Sequence, residues 1–170
     1  CELFGHWWFE GPWFLERVVR FMAMDPEIEL TNCRRYIEQF PPNKVVSITE
    51  GSWGQGSSHY IWLNKDTSWT WEKIYEIEDI VEDLVTKYHN LDNKNVQRIL
   101  IQLCRENLIL QASDWQFLIS TWSARDYAEN RFGVHYENCK KLAQLVSKEL
   151  NGGLSEENWN FVSKLEESDN

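Results

Sequence analysis

Three groups of side chains in this 170-residue chain are of types that bind a ligand. The segment EGSWGQGSSH, residues 50–59, continued by YIWLN, sets Glu50, Trp53, His59 and Trp62 on one glycine-rich loop. The opening stretch GHWWFEGPWF, residues 5–14, crowds His6, Trp7, Trp8 and Trp13 together with two phenylalanines. Further on, SDWQF places Asp114 between two helical stretches. Indole rings offer flat faces for stacking, and a carboxylate accepts hydrogen bonds from hydroxyls. Seven of the ten tryptophans fall within the first 71 residues. That density in an acidic chain points to flat apolar ligands with hydroxyl edges, and sugar rings fit that description.

Each group has a plainer reading beside this one. Trp53, between glycines, is not explained by helix or strand packing, so it either stacks on a ligand or anchors its loop to the core. His6, Trp7 and Trp8 sit on a turn that Gly5 and Gly11 permit, as a site wall or as core. Trp13 and Phe14 begin a helix and are expected in the core. Asp114 is either a helix N-cap or an acceptor for sugar hydroxyls. Two other chemistries are excluded. GSWGQGSS lacks the Lys-Ser/Thr of a phosphate-binding loop, and Gly51-Ser52-Trp53-Gly54 lacks the spacing of a nucleophile elbow.

The elements that must position these residues can be read from periodicity. Pro12 suits a first helical turn, and Phe14, Leu15, Val18, Val19 and Met22 continue at helical spacing to about Met24. A short helix over about 32–40 stops at Pro41 and Pro42. KVVSIT, residues 44–49, is β-branched and nearly continuous, as in a buried strand of a parallel sheet. The loop that follows such a strand is where α/β barrels build their sites.

From about residue 68 the character changes. Ile74, Ile77, Ile80, Val81, Leu84, Val85 and Tyr88 share one helical face, opposite an acidic face that reads as solvated rather than metal-binding. Further helices are expected over 95–110, 113–121 and 124–150, with NGG as a stop. A last short helix starts at Ser155, and EESDN is expected to fray.

The resulting fold class is an α/β remnant over 1–65 followed by an all-α domain over 66–170, predominantly helical overall. One strand without sheet partners implies missing strands upstream of Cys1.

Composition sets further bounds. A hydrophobic content of 42% is that of a globular chain, and a net charge of −10 disfavours nucleic acid and anionic membranes as partners. No run is long and apolar enough to span a bilayer. Cys1, Cys33, Cys104 and Cys139 lie far apart with no CxxC pair, which reads as reduced thiols in a cytoplasmic protein.

Three blocks together go beyond pattern: ELFGHWWFEGP (2–12), EGSWGQGSSHYIWLNKDTSWTW (50–71), and SDWQF with ARDYAENRF (113–132). In wording, order and spacing they resemble the 1,4-α-glucan branching enzymes of glycoside hydrolase family 57. TWSARDYA and HYENCKKL depart from the usual wording of the last block.

The resemblance implies the end of an incomplete seven-stranded α/β barrel plus a helical domain. It also implies retaining transglycosylation on an α-glucan, with no cofactor and no metal. Its acid/base aspartate would stand just before Cys1 and its glutamate nucleophile further upstream. Both would belong to the upstream part of the same polypeptide, leaving no catalytic residue in this chain. Carried over position by position, Trp53, Trp62 and Asp114 are substrate contacts, and His6, Trp7 and Trp8 shape subsites beside the acid/base. The alternatives are an amylase or glucanotransferase of the same family, a non-catalytic glucan-binding module, and a helical interaction domain over 68–165.

Overall fold

Apolar side chains recurring every three to four residues require helices that bury one stripe each, and five such helices form the larger part of the molecule. They are α3 (Ser68–Tyr88), α4 (Lys94–Leu110), α5 (Asp114–Thr121), α6 (Arg125–Gly152) and α7 (Glu156–Ser168). The computed structural model describes residues 3–4 and 8–169. The chain divides into two compact units, Cys1–Thr49 and Glu50–Asn170.

In the second unit α6 packs against α3, α4 and α5, while α7 packs on α4. Phe132, Cys139, Leu142 and Leu145 of α6 are buried with Ile77 of α3, Ile99, Leu103 and Leu110 of α4, and Ile119 of α5. Each of the leucine, isoleucine and phenylalanine side chains among them contributes on the order of 1.5–3 kcal/mol by leaving water. One polar cluster lies within this core. The His135 ring meets Glu106 at 2.6 Å, Asn138 donates to the same carboxylate at 3.1 Å, and Trp115 stacks over His135.

Capping chemistry sets the helix ends. The Asn93 side chain accepts from the backbone N–H groups of Asn95 and Val96, and Ser155 accepts from that of Asn158. Gly153, at φ 87°, closes α6 in the left-handed region that glycine tolerates. Of the tail expected to fray, residues 166–168 are helical, and Asn170 lies outside the described residues. Arg98 of α4 grips the Glu166 carboxylate with two nitrogens, at 2.6 and 2.5 Å, and Gln102 donates to Asp169 at 2.6 Å. The helix therefore continues to Ser168.

The first unit contains α1 (Gly11–Met24) and α2 (Cys33–Gln39), the latter capped by Asn32 accepting from Arg35 N–H. Two expectations are corrected here. Trp13 and Phe14 are not core residues: they are 60% and 48% exposed, and among the described residues only the rings of Phe4 and Trp8 against Phe14, and of Phe9 against Trp13, partly cover this face of α1. Residues 44–49 form no strand, and Val45, Val46 and Ile48 stand exposed. A strand exists only when a neighbour completes its hydrogen-bond ladder, and none of the described residues supplies one.

Candidate functional site

The glycine-rich segment is a loop, as its composition requires, tightened by a single 3-10 turn over Gln55–Ser57. Its shape is held from within. The Ser52 hydroxyl donates to the Ser58 carbonyl and accepts from Gly54 N–H at 3.0 Å. Gly56 turns the chain at φ 64°. Gly54 serves closeness instead: a Cβ there would stand 2.9 Å from the Trp62 ring.

That close approach lets Trp53 and Trp62 meet edge to face, with ring centroids 5.0 Å apart at 75°. Trp53 also packs against Phe117 of α5, at 5.6 Å and 39°. Yet Trp53 is 76% exposed, so it is a ring held in place with most of its surface in solvent and not a loop anchor buried in the core. A fixed, exposed indole is the form a stacking platform takes.

The turn bearing Trp62 is pinned to both neighbouring helices. The Trp62 carbonyl accepts from Thr67 Oγ1 at 3.0 Å and from the Trp71 indole of α3 at 2.8 Å. Ser120 of α5 donates to the Ile61 carbonyl at 2.5 Å and accepts from Asn64 at 2.8 Å. The Trp62 indole N–H is buried without an acceptor among the described residues.

Asp114 is the first residue of α5, and Ser113 occupies the cap position; neither side chain caps the helix. The N-cap reading of Asp114 is thereby replaced. Its carboxylate is exposed in the first turn, where the helix dipole favours negative charge, and among the described residues it has no salt-bridge partner. Phe117 lies three residues on, so α5 carries the ring that packs against Trp53 within one helical turn of this carboxylate.

His59 approaches Glu50 at 3.4 Å across the loop base, but both are exposed and the pair contributes little. Among the described residues no three His, Cys, Asp or Glu side chains converge as metal ligands.

The structure thus brings Trp53, Trp62 and the α5 turn that carries Asp114 into one constellation. Trp8 is half-buried in the first unit, its ring 5.1 Å from Phe14 and 6.0 Å from Phe4. His6 and Trp7 lie outside the described residues. Sequence reasoning missed Phe117, although its position in SDWQF, one turn after Asp114, was the available signal.

Residues 73–170 match the family described as "1,4-alpha-glucan branching enzyme, C-terminal", and the chain belongs to that family. Over 170 residues it is 39% identical to the 1,4-alpha-glucan branching enzyme TK1436 of Thermococcus kodakarensis, covering 99% of this chain and 25% of that protein. The crystal structure of TK1436, described as a GH57 branching enzyme in complex with glucose and additives, superposes with a TM-score of 0.72 over 99% of this chain and 30% of that one. The GH57-type branching enzyme of Pyrococcus horikoshii gives the same score at 37% identity, over 99% of this chain and 31% of that one. The alpha-amylase AmyC of Thermotoga maritima is 30% identical, with a TM-score of 0.55 over 96% and 29% of the two chains. The chain therefore spans between a quarter and a third of the length of these relatives.

Proposed function

We propose that this chain is the carboxy-terminal portion of a retaining 1,4-α-glucan branching enzyme, one that cleaves α-1,4 links and forms α-1,6 branches in glycogen-type glucans. Residues 1–65 are the end of the catalytic barrel and 66–170 the helical domain. The acid/base aspartate and the glutamate nucleophile belong to the upstream part of the same polypeptide, and the isolated chain is inactive. Trp53, Trp62 and Asp114 contact the glucan, with His6, Trp7 and Trp8 as further contacts. The enzyme acts in the cytoplasm, where the free thiols of Cys33, Cys104 and Cys139 persist.

The observation that carries this reading is the exposed Trp53 ring, fixed against Trp62 and against Phe117 of α5, the helix that Asp114 begins. Branching demands such a surface. A glucan segment held as a covalent glycosyl-enzyme must be taken by a 6-hydroxyl and not by water, which outnumbers it. A stacking platform raises the local concentration of acceptor and sheds water from the sugar face. A carboxylate one helical turn from Phe117 accepts from sugar hydroxyls and fixes which edge of the ring faces the reacting carbon.

The experiment is to incubate amylose with the polypeptide carrying this chain, then debranch the product and measure chain lengths. New α-1,6 links are expected. Short linear products alone would make the protein an amylase or glucanotransferase of the same family.

A further inference from the structure

Beside the Trp53 platform, and sharing Trp62 with it, lies a cavity of about 510 Å³. That is within the ~300–1,000 Å³ of small-molecule sites, with room for sugar units as well as for a single ion. Its aromatic walls are Trp62, Trp71 and Tyr75, the last two one turn apart on α3. Its polar groups are the amides of Gln111 and Gln116 and the hydroxyl of Ser113, at the junction of α4 and α5. We infer that this cavity is a glucosyl subsite for a stretch of α-glucan extending beyond Trp53, recognised by Tyr75 and Gln111. The inference rests on the glucan reading of the Trp53 platform.

Charge selects the occupant. Among the described residues no lysine, arginine, aspartate or glutamate lines the cavity, and its one imidazole is that of His59. A phosphate, a nucleotide or a cation would find no counter-charge. An uncharged ring with apolar faces and hydroxyl edges finds both stacking surfaces and neutral hydrogen-bonding groups.

The walls are built before any ligand arrives. Trp71 is fixed by its indole bond to the Trp62 carbonyl, and Gln116 donates to Thr70 Oγ1 at 3.0 Å. Gln111 donates to Asn107 at 3.1 Å, which orients its amide; among the described residues its Oε1 accepts no hydrogen bond. The Tyr75 hydroxyl likewise has no partner among them, and the side chain is 57% exposed. These two groups have hydrogen-bonding capacity in reserve, and they face a preorganised aromatic recess. Sequence reasoning passed over both because Tyr75 fell within the amphipathic pattern of α3 and Gln111 at a helix end.

The test titrates the full 170-residue chain with maltoheptaose, following tryptophan fluorescence and calorimetric heat, in wild type, Tyr75→Phe, Gln111→Ala and Trp53→Ala. Circular dichroism melting confirms that each variant keeps its fold. Loss of one hydrogen bond should raise the Kd of Tyr75→Phe and of Gln111→Ala about fivefold each. If both variants bind as wild type does while Trp53→Ala is weakened, the subsite is overturned and the platform stands. If the pocket variants are weakened and Trp53→Ala is not, the subsite stands and Trp53 leaves the site. If the folded wild-type chain shows no saturable binding, subsite and platform fall together.

Discussion

Replacing Gly54 with alanine should disturb the site without straining the backbone. Gly54 sits at φ −69° and ψ −178°, a conformation any residue adopts. The new Cβ, however, would stand 2.9 Å from Trp62 Cζ3, 3.1 Å from Ser52 Oγ and 3.2 Å from Ile61 Cγ1, where ordinary contact begins at 3.4 Å. The Trp62 ring must retreat by about 0.5 Å, the difference between 3.4 and 2.9 Å. It cannot do so freely. Its own carbonyl is held by Thr67 and Trp71, and its ring is backed by Trp53.

Overpacking of this kind costs ~1–3 kcal/mol, and a domain of this size loses ~2–4 °C in Tm for each of those kcal/mol. Melting followed by circular dichroism should therefore show a loss of several degrees. The near-ultraviolet band of the Trp53–Trp62 pair should change with it. Gly56→Ala is the control, because it meets no heavy atom within 4 Å and suffers only from its φ of +64°. That left-handed conformation costs ~1–2 kcal/mol and should leave the near-ultraviolet band intact. If Gly54→Ala keeps both its Tm and its near-ultraviolet band, the close packing of loop on indole is not what orders the site.

Two further expectations concern the helical domain. The Arg98 guanidinium, hydrogen-bonded to Glu166, holds that carboxyl below its ordinary value. The stabilisation is therefore fully present above the unfolded value of about 4.3 and is lost as pH falls through the lower folded value. The Tm gap between wild type and Glu166→Gln should be open at neutral pH and close as the solution is acidified; a gap that does not vary with pH would show that the ion pair is not its source. Burial, assisted by Glu106, pushes the Cys139 thiol up to about 12, and burial also raises Cys104, whereas Cys33 is exposed. With iodoacetamide at about pH 8, Cys33 should be the first of these three to react and Cys139 only upon unfolding. Labelling of Cys139 as fast as Cys33 would contradict the packing of α6 on α4.

Helices α3 to α7 were legible in the sequence because each carries its own evidence: an apolar stripe that repeats, and in Asn93 and Ser155 a residue able to cap the start. What a stripe does not encode is its cover. Trp13 and Phe14 have the spacing of core residues and stand exposed, and KVVSIT has the composition of a strand without the neighbour that makes one. The helical state of residues 166–168 was not legible for the converse reason, since the partners of Glu166 and Asp169, Arg98 and Gln102, stand some 67 residues away in sequence.

At the site, Trp53 stood out because glycines on either side removed every periodic explanation for it. Phe117, Tyr75 and Gln111 did not stand out. Each lies within or beside a helix, where an aromatic or an amide is accounted for before its neighbours in space are known.

The most direct measurement compares glucan transfer with hydrolysis in the polypeptide that carries this chain, with Trp53 intact and as Trp53→Ala. If the exposed indole holds acceptor glucan against water, formation of α-1,6 links should fall at least as far as hydrolysis does. Undiminished branching in the Trp53→Ala protein would contradict a place for this ring at the substrate.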